Sequence, residues 1–110
     1  MAITAQALIQ PKYASTVLTA DYTAAAKTIV DAFTVTNVSG GASQITIHVV
    51  PAGGSPGADN CIVKARGVAV NESYSVTPML GHVVESGSAI WCVSVAGNAL
   101  VLFASGRVIV

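Results

Sequence analysis

Hydroxyls aside, this chain could run chemistry only with two histidines, two cysteines, five basic and five acidic side chains. His48 and His82 have no cysteine or carboxylate beside them at the spacing a zinc site requires, so no metal site is expected. His48 lies in QITIHVV, where alternation turns it away from the apolar face; it reads as a solvated or interfacial histidine. His82 closes the TPMLGH segment, where a hydrogen bond to backbone is expected rather than acid–base work. Cys61 and Cys92 could bridge only if their Cα atoms came to about 5.5 Å. Reduced, mostly buried thiols are the expected state.

Other chemical signals are weak. AGGSPG, residues 52–57, lacks the Lys-Ser/Thr of a phosphate-binding loop and no helical pattern follows it, so it reads as a flexible hairpin-type loop. No GxSxG elbow is present. Asn37-Val38-Ser39 and Asn71-Glu72-Ser73 match the glycosylation pattern, which is discounted because the opening MAITAQALIQPKYAST has no basic n-region. Trp91 could stack on a sugar, yet its expected place on a core face makes it a packing anchor. The reading assigns no catalytic, cofactor-binding or metal-binding residue, and no enzyme is expected.

Elements able to position such groups are almost all strands. Val, Ile and Thr dominate, turn signals recur at short spacing, and helical periodicity is nearly absent. TVLT (16–19) reads as a first strand, and DYTAAAK (21–27) as a loop or single turn. TIVDAFTVT (28–36) carries Ile29, Phe33 and Val35 on one face. QITIHVV (44–50) carries Ile45, Ile47 and Val49 on one face and His48 on the other. PAGGSPGADN (51–60) is an exposed loop, residues 61–70 hold a strand, SYSV (73–76) is a short strand, and TPMLGH (77–82) holds one helical turn. The result is an all-β, single antiparallel β-sandwich, jelly-roll or Ig-like, of seven to eight strands. Residues 1–15 form an N-terminal arm and residues 16–110 the sandwich.

The segment SAIWCVSVAGNALVLFASGRVIV (88–110) supplies the strongest pattern. Its Gly97-Asn98 pair is the kind of loop that closes a tight hairpin. Such a hairpin pairs Val93 with Leu102 and Trp91 with Ala104. Trp91, Val93, Val95, Leu100 and Leu102 then share one apolar face. Its other face carries Ile90, Cys92, Val101 and Phe103, so it needs covering too.

Composition points the same way. The chain is 53% hydrophobic, only 9% charged and formally neutral, where an average soluble domain is about 25% charged. A partner surface is therefore expected at Ile90, Val101 and Phe103, joined by Ile3, Leu8 and Ile9 of the arm, which would add as a strand to a neighbour's sheet edge. Scattered Lys and Arg exclude a nucleic-acid stripe. No apolar run reaches the roughly 20 residues of a membrane helix.

Four segments carry a resemblance: TIVDAFTVTNVSG (28–40), ITIHVVPAGG (45–54), GVAVNESYSV (67–76) and ASGRVIV (104–110). Together they are similar to short accessory virion proteins of tailed bacteriophages, over most of the chain from about Tyr13. In that group a strand ends in a TN-SG turn and another in VP-GG. A GE-Y-like turn precedes a short strand, where this chain has Asn71-Glu72-Ser73-Tyr74, and an SGR-I strand closes the sequence. The resemblance implies a structural virion component with no catalytic or cofactor residue. Its expected site is the assembled particle, formed in the host cytoplasm. A capsid decoration (cement) protein is the leading form; a neck or tail accessory and a host-surface carbohydrate-binding module are the alternatives. Implied partners are further copies of itself, preferably as a trimer, and the major capsid protein or other virion proteins.

Overall fold

In the computed structural model, which describes residues 2–110, nine strands divide between two antiparallel sheets. Met1, the first residue of the expected arm, lies outside the described residues. One sheet holds β1 (Ile3–Tyr13), β9 (Leu100–Ile109), β3 (Lys27–Asn37) and β6 (Ser73–Ser75) in that spatial order, with β7 (Val83–Val84) also on β3. The other has the order β2 (Thr19–Thr23), β8 (Ala89–Ser94), β4 (Ser43–Val50), β5 (Cys61–Val68). The protein is an all-β sandwich. A 3-10 turn at Thr77–Met79 buries Met79 against the core.

Alternation explains the core. Phe33 and Val35 of β3, Ile45 and Ile47 of β4, and Leu100 and Leu102 of β9 are all essentially without exposure. Each side chain of this size contributes about 1.5–3 kcal/mol when taken out of water. Bulges interrupt the alternation. One in β3 between Val30 and Ala32 puts Val30 inside and leaves Ile29 half-buried on the outside, reversing the expected place of Ile29. At the end of β4, Val49 packs against the core as the alternation expects, though only half-buried, and its neighbour Val50 is buried as well.

Strands β8 and β9 do not form a hairpin. Ile47 of β4 faces Cys92 of β8, whereas Val35 of β3 faces Leu102 of β9, so the two strands lie in different sheets. A two-residue type I′ loop needs positive φ at both central residues. Asn98 has φ +53° but Gly97 is outside the positive-φ set, and the chain here crosses from sheet to sheet. Each strand is central in its own sheet, paired along both edges, β8 with β2 and β4 and β9 with β1 and β3. The face assignment reverses with it. Ile90 and Cys92 point into the core, while Trp91 and Val93 are half-buried on the outside. Among the described residues the single hairpin of consecutive strands is β4–β5, around the 51–60 loop.

The expected arm is strand β1. It pairs with β9 from Ile3↔Ile109 to Tyr13↔Val101, through two irregularities. Leu8 and Ile9 are buried in this chain's own core, so they and Ile90 present no outer surface. Strand β9 also runs unbroken through Gly106. A Cβ there would lie 2.1 Å from the Ile29 carbonyl oxygen, so β3 and β9 approach as they do because this residue has no side chain.

Candidate functional site

A group of polar side chains gathers on the outer face of the β4–β5 hairpin. Register brings His48 directly opposite Cys61 on one side and opposite Trp91 of β8 on the other. Strand β5 carries an extra residue twice against β4, once between Ile45↔Arg66 and Ile47↔Val63 and once between Ile47↔Val63 and His48↔Cys61. Such bulges re-aim side chains. Two residues from inward-facing Val63, Cys61 would share its face by alternation; the second bulge turns it outward beside His48. Ala65 adopts φ +49°, a left-handed conformation uncommon for a residue with a Cβ, and its N–H donates to Thr46 Oγ1 at 3.0 Å.

The 51–60 loop folds back over this face and ends in a 3-10 turn at Ala58–Asn60. Asn60 is tied at both ends of its amide: Nδ2 donates to the Ser55 carbonyl at 2.9 Å, and Oδ1 accepts from the Gly57 N–H at 3.0 Å. That fixes Oδ1 as the acceptor in its 2.9 Å contact with His48 Nδ1. His48 therefore carries its proton on Nδ1, and in the neutral ring Nε2 is left with a lone pair. The His48 residue is 8% exposed. Between loop and hairpin lies a groove of about 680 Å³ lined by Thr46, His48, Gly57, Cys61, Lys64 and Ala65, among others. His48 is thus not free in solvent; its own loop covers it.

The two cysteines are free and differ sharply. Cys61 is half-buried on the groove, with Sγ 3.5 Å from the Val63 carbonyl. Cys92 is fully buried between the sheets. Burial first, then the negative charge of Asp21, pushes the Cys92 thiol well above its ordinary value. A β2 irregularity between Ala20 and Tyr22 lies at Asp21. Its side chain is 2% exposed, with Oδ1 2.6 Å from Lys12 Nζ of β1 and Oδ2 without a hydrogen-bond partner. The pair ties one sheet to the other at the open side of the sandwich.

The opposite face of the molecule is bare. On the outside of β1–β9–β3, Tyr13 stands across from Val101, which stands across from Thr36; Phe103 stands across from Thr34. Phe103 is 45% exposed and Tyr13 51%. Four residues along β9, Arg107 makes a two-pronged ion pair with Asp31 at 3.0–3.2 Å. Of the expected interface residues, the structure leaves Phe103, half-buried Val101 and Ile3 at the surface. Ile3 is at the far end of β1, away from the other two.

Asn37 is buried and donates Nδ2 to the Gly41 and Val68 carbonyls, so the Asn37 glycosylation match is a structural asparagine. His82 is exposed; its backbone carbonyl, not its ring, accepts a bond from the Val30 N–H. Sequence reasoning missed Asn60 as the partner of His48. The usable signal was the loop itself: a hairpin read across residues 51–60 places residues 60 and 61 beside 48. Among the described residues no cluster of three or more His, Cys, Asp or Glu could hold a metal ion. Comparison with protein-family models, with curated proteins and with solved structures returns no match.

Proposed function

We propose that the chain is a structural subunit of a bacteriophage particle, a homo-oligomer, preferably a trimer, that decorates the capsid against the major capsid protein. The observation that carries the reading is the corner formed by Tyr13, Val101 and Phe103 on a ground of hydroxyls, with a cation and its counter-ion only further along the strand. Large exposed apolar side chains grouped on one rigid sheet mark a contact surface. A formally neutral chain with 9% charged residues supports permanent association. The resemblance of four segments to accessory virion proteins supplies the kind of particle.

The surface differs from the one the sequence suggests. Residues 3–13 are already hydrogen-bonded to β9, so they are not free to add to a neighbour's sheet. The outer edge of β1 contains Pro11 and bulges, which hinder pairing with another strand. The contact therefore uses the sheet face.

Gradient sedimentation tests this. The chain is mixed with particles of the phage that encodes it, depleted of this subunit. Wild-type chain should band with the particles and Phe103→Asp should stay at the top, because a desolvated carboxylate at an apolar contact is costly. Electron microscopy of the banded particles should show density on the capsid. Density at the neck or tail would replace the capsid assignment, and wild-type chain left at the top would overturn the reading.

A further inference from the structure

We propose that Cys61 and His48 form a thiol–imidazole pair that exchanges with small anionic disulfides in the β4–β5 groove, making Cys61 a reversible modification site. Three observations place the parts. His48 and Cys61 are register partners on the same face, so their Cβ atoms are about 5 Å apart. Asn60, itself held by Ser55 and Gly57, fixes the His48 proton on Nδ1. The Nε2 lone pair of a nine-tenths buried ring is then left with no protein partner at a groove of about 680 Å³. A nucleophile, a base and a third group that orients the base are the parts of an activated thiol.

In the structure Cys61 Sγ rests toward the Val63 carbonyl, a weak contact at 3.5 Å. Rotation about its Cα–Cβ bond swings the thiol across to His48. Nε2 then accepts the thiol proton, and the thiolate attacks one sulfur of the incoming disulfide. The Cys61–sulfur bond forms as the old sulfur–sulfur bond breaks, and the departing thiolate takes the proton from His48. Two electrons stay with the leaving thiol, so the exchange balances without another oxidant. Exposed Lys64 on the same groove favours a carboxylate-bearing disulfide. The left-handed Ala65 holds this wall of the groove in a conformation that a regular strand would not give.

Cys92 is the internal control, since it is enclosed in the core of the same chain. The probe is glutathione disulfide, and intact mass reads the product. Folded wild-type protein should gain one glutathionyl group, on Cys61, and a second only in denaturant. Cys92→Ala should behave as wild type and Cys61→Ser should gain none. His48→Gln should slow the reaction by at least roughly tenfold. Asn60→Ala, which releases the His48 proton from Nδ1, should slow it severalfold. A His48→Gln chain that merely unfolds would reveal itself by taking two groups, and folded Asn60→Ala then decides. A folded His48→Gln or Asn60→Ala chain reacting within about twofold of wild type overturns the pair. None of these outcomes depends on the virion reading.

Discussion

The outer faces of the two sheets end in opposite ways, one covered and one open. Over β4–β5 the chain returns as the 51–60 loop, and Asn60 closes a polar network on His48. Over β9–β3 no described segment returns, and Phe103 stays 45% exposed beside Val101. The difference comes from the connections. β4 and β5 are consecutive and paired, so their loop must lie at that sheet, whereas β9 is flanked by β1 and β3, whose connections leave for the other sheet. A roofed face becomes a groove; an unroofed one stays exposed.

The sharpest way to break the bare sheet while sparing the groove is Gly106→Ala. The added methyl would meet the Ile29 carbonyl oxygen at 2.1 Å, and the nearest atom is backbone, which cannot rotate away. A loss of about 3 kcal/mol or more is expected in denaturant titration, at the upper end for overpacking. A loss under about 1 kcal/mol would mean that β3 and β9 separate easily. Either result tells how rigidly the bare face is held.

The inside and outside of β8 separate next. Ile90→Ala should cost about 3 kcal/mol, because Ile90 is completely buried. Trp91→Ala should cost about 1–2 kcal/mol, since only the half-buried outer face of the strand is trimmed. Chemical denaturation of both variants checks the order, and the reverse order would restore the hairpin reading of residues 88–110.

Alkaline titration sharpens the contrast between the two cysteines. The folded-state Cys92 thiol is held above its ordinary value of 9.0, by burial first and by Asp21 second. Its neutral form is thus favoured by folding. The stabilisation is complete below the unfolded value and is lost as pH rises through the folded one. Above about pH 9, unfolding releases this proton, and stability should fall by about 1.4 kcal/mol per pH unit on its account. Cys92→Ala should lack that share of the slope in denaturant titrations run across this range; an unchanged slope would place Cys92 outside the core.

Much of the fold was legible because alternation is local. Phe33, Val35, Ile45 and Ile47 fall where a period of two puts them, and the Thr77–Met79 turn follows from its Pro and Gly neighbours. Ile29 did not, because a bulge shifts the period by one residue and leaves no mark in composition. Trp91 was misplaced with its whole strand, once β8 and β9 were taken as partners. The candidate groove was half visible: His48 and Cys61 were singled out separately, and only the loop path joins them through Asn60.

By itself, then, the sequence determined the class of the protein. β-branched runs at period two with frequent turns leave no alternative to strands, and 9% charge leaves apolar side chains at the surface. What only the tertiary structure decided is which strands meet. A run apolar on both faces, such as residues 89–94 or 100–104, is equally content beside any strand that offers a complementary edge. The partner is chosen by the non-local totals of backbone bonding and burial. Strand β9 pairs along nearly its whole length with β1 and β3, and β8 fills the gap between β2 and β4. Pairing also settled which side of β8 faces the core, and so placed Cys92 inside and Trp91 beside His48.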